Sequence, residues 1–315
     1  MKYTKIRALV LLSGGLDSIL VVKILQEQGV EIAAVSFESY FFNGKKAKIA
    51  AEALNIPLKT VDFSEEHLQM VKKPKYGYGR GMNPCLDCHL LMLKKAKQIM
   101  EKENYNFIAT GEVLGERPMS QNRKALGIIE KELSLTGFLL RPLSAKLLPK
   151  TVPEEKGWVK REKLFAISGR SRRRQMALAK KWQIQFYPTP AGGCLLTDPE
   201  FSKRLRELFE KYPESGANDI ELLKIGRHFW SDKTKIVVGR DHEENLKIKS
   251  LAQRSDVLIE LRDYPGPTTL VRDYGKRKIS ETVLEMAKGL TKKYSRRARD
   301  QIKIDFIVNQ IANKE

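Results

Sequence analysis

Residues 6–12 are apolar almost without interruption, the pattern of a strand buried on both faces of a parallel sheet. Helix-spaced apolar positions follow from about 17 to 28 and stop at Gly29, a residue suited to ending a helix. The alternation then repeats, predicting a strand at 31–37, a helix at 45–54, a strand at 58–62, a helix at 88–102 and a strand at 107–110. This βαβα rhythm predicts an α/β fold, a doubly wound parallel sheet with its ligands at the carboxyl ends of the strands. A short strand at 138–143, helices at 163–167 and 171–182, a Pro- and Gly-rich loop at 187–193 and a helix at 201–212 complete the first part.

After Pro213-Glu214-Ser215-Gly216 the pattern changes. Short strands at 224–229, 235–238, 256–261 and 268–271, a helix at 280–294 and a strand at 302–308 describe a smaller α+β module. The expected domains are therefore 1–214 and 215–315, with no internal repeat between them. No apolar run approaches the roughly 20 residues that a membrane span needs. The first apolar run leads into a Gly-rich loop rather than a small-residue cleavage site, so a soluble, cytoplasmic protein with no membrane partner is expected.

Charge narrows the partners. Lys and Arg number 58 against 38 Asp and Glu, a formal net charge of +20, which favours salt-sensitive binding of polyanions. The excess gathers at Arg170-Ser171-Arg172-Arg173-Arg174 and Arg296-Arg297-Ala298-Arg299. Arg172, Arg173, Arg174, Arg227, Arg240, Arg296 and Arg297 are the candidate nucleic-acid contacts, since arginine suits phosphate recognition.

Two constellations carry chemistry. Ser13-Gly14-Gly15-Leu16-Asp17-Ser18 joins the buried strand to the next helix. Glycines let backbone N–H groups converge on phosphate oxygens, and the helix points its positive end at the same anion. Ser13 and Ser18 add hydroxyl donors, and Asp17 stands where a carboxylate holds Mg²⁺ against phosphates. No Gly-Lys-Ser/Thr follows, so this is not a Walker A loop.

The second constellation is Cys85, Cys88 and Cys194, the three cysteines of the chain. Cys85 and Cys88 have CxxC spacing ahead of the predicted helix, whose N-terminus favours thiolates; Cys194 follows Gly192-Gly193. Three thiolates suit a 4Fe-4S cluster with one open iron. Zinc held by the cysteines and His89, a persulfide with a resolving thiol, and plain buried cysteines are the alternatives. His89 and His228 each read first as local hydrogen-bonding residues.

The hexapeptide is similar to the SGGxDS signature of PP-loop ATP pyrophosphatases. With the CxxC pair and a distant third cysteine, the chain resembles the PP-loop tRNA-thiolating enzymes. Thr110-Gly111-Glu112-Val113-Leu114-Gly115-Glu116-Arg117-Pro118-Met119-Ser120-Gln121 resembles the G-[DE]-x-L-G-x-x-x-SQ motif of 4-thiouridine synthetases, and Arg141-Pro142-Leu143 their following RPL. The resemblance spans about 6–195. 4-Thiouridine synthetases usually carry a THUMP domain ahead of this loop, and Asn83-Pro84-Cys85 is closer to the 2-thiouridylases.

The resemblance implies a tRNA sulfurtransferase. ATP would adenylate a base carbonyl oxygen with loss of pyrophosphate, and sulfur from sulfide or a sulfur-carrying protein would then displace AMP. Asp17, Cys85, Cys88 and Cys194 would be catalytic, with the cysteines holding the 4Fe-4S cluster. Ser13, Gly14, Gly15, Asp17, Ser18, Phe37, Thr110 and Gly111 would surround ATP. A PP-loop amide- or lysidine-forming ligase and an RNA-binding protein with a degenerate loop are the rivals.

Gly226-Arg227-His228-Phe229, Val237-Val238-Gly239-Arg240 with Asn245, Asp256-Val257 and Tyr264-Pro265-Gly266-Pro267 follow the order of the NFACT-R RNA-binding module. That resemblance, over about 220–310, implies RNA binding by the basic carboxyl-terminal domain.

Overall fold

The computed structural model describes residues 5–185, 187, 193–275 and 278–311, which form two compact units, Met1–Thr197 and Asp198–Glu315. The first contains β1 (Arg7–Leu11), α1 (Leu16–Gln26), β2 (Glu31–Glu38), α2 (Lys45–Leu54), β3 (Leu58–Asp62), α3 (Ser64–Lys72) and α4 (Cys85–Lys102). It continues with β4 (Phe107–Ala109), α5 (Arg123–Glu132), β5 (Leu139–Leu140), α6 (Val152–Glu155) and α7 (Arg173–Lys181). All five strands run parallel in the order β3-β2-β1-β4-β5, the doubly wound sheet that the sequence rhythm predicts.

Period-two alternation explains why β1 is apolar on both faces from Ala8 to Leu11. Ala8 and Val10 enter the core beneath α1, α2 and α7, while Leu9 enters the opposite core with Leu93 and Ala96 of α4 and Ile129 of α5. With β2 on one side of β1 and β4 on the other, the strand order reverses there. The loops after β1 and β4 border the crevice so formed.

One predicted helix is replaced by other structure. Of 163–167 only the 3-10 turn Arg161–Lys163 overlaps it, because Phe165 N–H donates to Pro142 and Ile167 N–H to Leu143. The segment thereby spends its backbone donors beside the chain after β5. The short helices α3 and α5 have no counterpart in the sequence pattern; α5 is capped by the Asn122 side chain, which accepts from Ala125 N–H.

His67 of α3 is fully buried against Phe63, Phe41 and Phe42, and both ring nitrogens lack a partner among the described residues. Burial lowers its pKa to about 4. The unfolded chain therefore binds this proton first, and stability falls as pH drops from about 6.5 to about 4. A His67→Phe variant is expected to lose that part of the acid destabilisation, about 3 kcal/mol, measurable by denaturant unfolding across this range.

The second unit holds α8 (Pro199–Lys211), α9 (Ala217–Leu223), β6 (Arg227–Ser231), β7 (Thr234–Val238), α10 (His242–Leu251), β8 (Val257–Leu261), β9 (Thr269–Asp273), α11 (Glu281–Lys293) and β10 (Phe306–Gln310). Its sheet is antiparallel, in the order β10-β8-β9-β7-β6. Ile236, Val238 and Val271 pack with Val283 and Ala287 of α11 on one face; Val237 and Leu270 pack with Leu222 of α9 and Ile248 of α10 on the other. The structural division falls before α8, whereas the sequence break falls after it. The last strand starts at Phe306 rather than 302, its register set by Phe306 opposite Leu261. No described helix is long and apolar enough to cross a membrane.

Candidate functional site

The phosphate loop occupies the crevice edge. Gly15 is the N-cap of α1, and Gly14 adopts φ +75°, a left-handed conformation open to glycine. A Cβ on Gly14 would lie 2.3 Å from the Lys46 carbonyl carbon, so this glycine lets the first turn of α2 close over the loop. Ser18 donates to the Gly15 carbonyl at 2.8 Å, and the Ser13 and Ser18 hydroxyls are 3.3 Å apart.

Gly111, just beyond β4, makes the matching approach from the neighbouring strand. A Cβ there would lie 2.7 Å from Ser18 N and 2.8 Å from the Asp17 carbonyl carbon. Asp17 opens α1 beside Arg172 and Gln175. Burial raises its pKa, and the Arg172 guanidinium opposes that rise. Its buried Oδ1 has no partner among the described residues, so it is an orphaned acceptor of the kind that a divalent cation engages. Glu116, also raised by burial, feels the Asp17 charge; in the sequence it stands out only as part of a motif.

The cysteines reach one place by backbone pinning. Leu195 N–H donates to Phe41, and Met82 N–H to Leu196, which ties the segment carrying Cys194 to the approach to α4. Residues 188–192 of the predicted loop lie outside the described residues. The helix starts at Cys85, three residues before the predicted point. The Asn83 amide donates to Cys85 Sγ at 3.2 Å.

Burial pushes the Cys88 thiol well above its usual range, with Cys194 and Cys85 adding to the rise. Burial also raises Cys194, to about 11. Both are thiols rather than thiolates at neutral pH, so for Cys88 desolvation outweighs the helix dipole. Among the described residues, no group of three or more His, Cys, Asp or Glu is arranged to hold a metal ion. The three thiols thus interact electrostatically without forming a ligating set.

A buried network joins the two constellations. His89, next to Cys88, meets Glu112 through Nδ1 at 2.8 Å; Thr110 donates to Glu112 at 3.0 Å and Arg141 Nε at 2.8 Å. Arg141 also pairs with Glu130. Burial alone would raise Glu112, but Arg141 and His89 outweigh it and hold the carboxyl at about 2. Thr110, Glu112 and Arg141 lie in or beside sequence motifs; their convergence on His89 follows from the parallel pairing of β4 and β5.

Other expected site residues divide by environment. Phe37 is 6% exposed and packs on Phe63 at 5.4 Å between centroids, so its side chain belongs to the core. Arg172 faces Asp17 electrostatically, and Arg174 donates to the Ala166 carbonyl, while Arg173 is exposed. Arg227 donates to Gly239 and lies over the Tyr294 ring. Arg240 pairs with Glu244. Arg296 and Arg297 are exposed.

This arrangement of parallel sheet and glycine loop defines a HUP-type nucleotide-binding domain. Residues 6–161 match the family described as the tRNA methyl transferase HUP domain, and 226–315 match the NFACT protein RNA binding domain. The chain thus matches a HUP-domain model over its first part and an NFACT RNA-binding-domain model over its last, in the order that its motifs indicate.

It is 30% identical over 148 residues to a probable tRNA sulfurtransferase of Thermoanaerobacter sp. (strain X514), covering 44% of this chain and 36% of the relative. It is 33% identical over 120 residues to the tRNA-specific 2-thiouridylase MnmA of Dehalococcoides mccartyi, covering 33% of each. The chain thus spans about a third of the length of these relatives. The MnmA of Amoebophilus asiaticus aligns over 312 residues at 26% identity, covering 90% of this chain and 74% of the relative. A solved 4-thiouridine synthetase–RNA complex with bound ATP is 23% identical, with a TM-score of 0.40, over 69% of this chain and 52% of that one.

Proposed function

We propose that this protein is an ATP-dependent tRNA thiolase. The observation that carries the reading is the His89–Glu112 hydrogen bond. It ties the cysteine-bearing helix to the strand end whose Gly111 packs on the phosphate loop. Activation and sulfur delivery thereby share one end of one sheet.

ATP lies with its phosphates over Ser13, Gly14, Gly15 and Ser18. Asp17 would hold Mg²⁺, which would supply neutralisation of charge there, and Arg172 adds a positive group. The base carbonyl oxygen attacks the α-phosphorus, and the α–β bond breaks to release pyrophosphate. Sulfur then attacks the activated carbon, and AMP leaves with the oxygen. Thr110 and Gly111 border the nucleotide, as does the backbone at Phe37.

The three thiols are of the donor type that clusters take, but their placement is not a ligating set, so no step runs through a cluster. If a 4Fe-4S cluster is bound, Cys85, Cys88 and Cys194 hold it, and it supplies an open iron that presents sulfur. Without it, a persulfide on Cys85, loaded by transfer from the persulfide of a sulfur-carrying protein, would attack the activated carbon as AMP leaves. A second thiol, Cys88 or Cys194, would then attack the Cys85 sulfur, so that the S–S bond breaks and the outer sulfur stays on the base. The resulting disulfide is reduced by an external thiol. Arg173, Arg227, Arg240, Arg296 and Arg297 contact RNA phosphates. Such an enzyme works in the cytoplasm, on tRNA and with sulfide or a sulfur-carrying protein as donor.

Cys85→Ala, Cys88→Ala and Cys194→Ala are each expected to abolish tRNA thiolation, read by nucleoside mass spectrometry, while retaining tRNA-dependent pyrophosphate release. Wild-type thiolation in all three would favour a PP-loop ligase instead. Iron and zinc content after anaerobic purification separates the sulfur chemistries. A colourless, zinc-loaded and active enzyme would exclude the cluster.

A further inference from the structure

One segment of the first unit brings positive charge and an aromatic ring to the edge of the cysteine site. Residues 67–86 contain Lys72, Lys73, Lys75 and Arg80 and no Asp or Glu. The segment runs through Tyr76-Gly77-Tyr78-Gly79-Arg80-Gly81 and enters α4 by way of Asn83 and Pro84. Tyr78 is 37% exposed, and Arg80 is exposed as well.

Asn83 fixes this segment to the first cysteine. Gly79 N–H donates to the Asn83 carbonyl and Gly81 N–H to Asn83 Oδ1, both at 3.0 Å. The Asn83 amide in turn donates to Cys85 Sγ at 3.2 Å. Arg80 therefore stands between two residues bonded to one asparagine, which is itself bonded to the thiol. A Cβ on Gly79 would lie 2.5 Å from Asn83 Nδ2, so glycine lets the chain pass this close. The Tyr78 hydroxyl donates to the Val71 carbonyl at 2.6 Å, which anchors the far end of the ring and holds it at the surface.

Carboxylates that meet the segment or flank it are engaged by other groups. Glu132 pairs with Lys75 and accepts from the Tyr76 hydroxyl, and Asp87 accepts from the Lys75 and Tyr76 N–H groups. Glu66 pairs with Lys95, and Glu65 accepts from Tyr40. These contacts take up Lys75 and leave the Arg80 guanidinium facing solvent.

An exposed guanidinium suits a phosphate, and an exposed aromatic ring offers a base a stacking face. Together they match a nucleotide, which presents a flat base and a phosphate one sugar apart. An acidic peptide would use the charge and not the ring. In a duplex the faces of a base are covered by its neighbours, so only an unpaired or extruded nucleotide can use both groups.

We infer that Tyr78 and Arg80 form a nucleotide-holding surface beside the cysteine site. Tyr78 stacks on an unpaired base, and Arg80 pairs with its phosphate. The inference rests on the tRNA-thiolase reading proposed above and adds that the target base is out of its helix when it reaches Cys85.

A single-stranded oligoribonucleotide carrying 5-iodouridine, irradiated with the full chain, should crosslink to Tyr78, as mapped by mass spectrometry of the digested adduct. The same strand in a duplex should give about tenfold less of that adduct. Arg80→Gln should lower the yield about tenfold, and Arg80→Lys should restore most of it. Arg80 is exposed, so both variants should melt with the wild type. Adducts confined to the second unit would overturn the inference, as would equal yields from single strand and duplex or from wild type and Arg80→Gln. Nucleoside mass spectrometry of tRNA separates this outcome from the reading on which it rests. A Tyr78 adduct in a protein that thiolates no tRNA keeps the surface and sinks the thiolase; thiolation with adducts confined to the second unit does the reverse.

Discussion

Gly14→Ala should abolish ATP-driven pyrophosphate release. At φ +75° a side chain is strained by about 1–2 kcal/mol. The added Cβ would also lie 2.3 Å from the Lys46 carbonyl carbon and 2.4 Å from its oxygen. These are backbone atoms in the first turn of a helix, so no rotamer relieves the clash. Either α2 shifts or the loop turns away from its phosphate-binding conformation. Overpacking of this kind typically costs about 1–3 kcal/mol more, and misdirected donors lower turnover by about 10²–10³. Pyrophosphate release with tRNA present gives the activity, and denaturant unfolding the stability. Release at the wild-type rate would remove the loop from the proposed reaction. Gly29, also at positive φ but with no atom within 4 Å of the position a Cβ would take, provides the control. Gly29→Ala should cost stability through backbone strain alone and leave turnover intact.

Glu112→Ala should be the most destabilising change in the first unit. It strips the 2%-exposed Arg141 of one of its two carboxylate partners, and breaking a buried pair costs about 3–5 kcal/mol. It also frees His89 and Thr110. The pH dependence gives an independent check. Glu112 is held at about 2 when folded, against an ordinary 4.5. Its ionised form therefore contributes stability that is complete above about 4.5 and is lost as pH falls towards 2. The Glu112→Gln variant should show a flatter acid limb in this window, about 3 kcal/mol of the wild-type slope being absent. This lies below the His67 window, so the two variants separate the limbs. Unchanged slopes in Glu112→Gln would show that the network does not carry the carboxylate's stabilisation.

The parts of this site that are legible in the sequence are contiguous. Ser13 to Ser18 can be read because strand, glycines, aspartate and helix occur within one short run, so local geometry suffices. The alternation of β1, α1, β2, α2 and β3 is legible for the same reason. His89, Glu112 and Arg141 are not readable as a network, because the strand order brings together positions from three separate segments. Glu116 looks like one member of a motif, and its approach to Asp17 arises only when the β4 loop closes on α1. Phe37 is a different case. A strand-end position suggests a ligand contact, but the neighbouring Phe63 supplies enough apolar surface to draw the ring into the core. The helices α3, α5, α9 and α10 escape the sequence pattern because each is short and has few periodic apolar positions, which tertiary packing then supplements.

The central place of β1 in its sheet has a consequence for synthesis. Ala8 pairs with Phe107, so one edge of this largely apolar strand waits for a partner about a hundred residues further along. At about 5–20 residues per second, a growing chain leaves that edge unpaired for roughly 5–20 seconds. The β1–α1–β2–α2–β3 portion can meanwhile form by local pairing, with α1 covering one face, but its β4 side remains open. Nascent chains halted before β4 are therefore the species in which association with chaperones or with one another should be greatest.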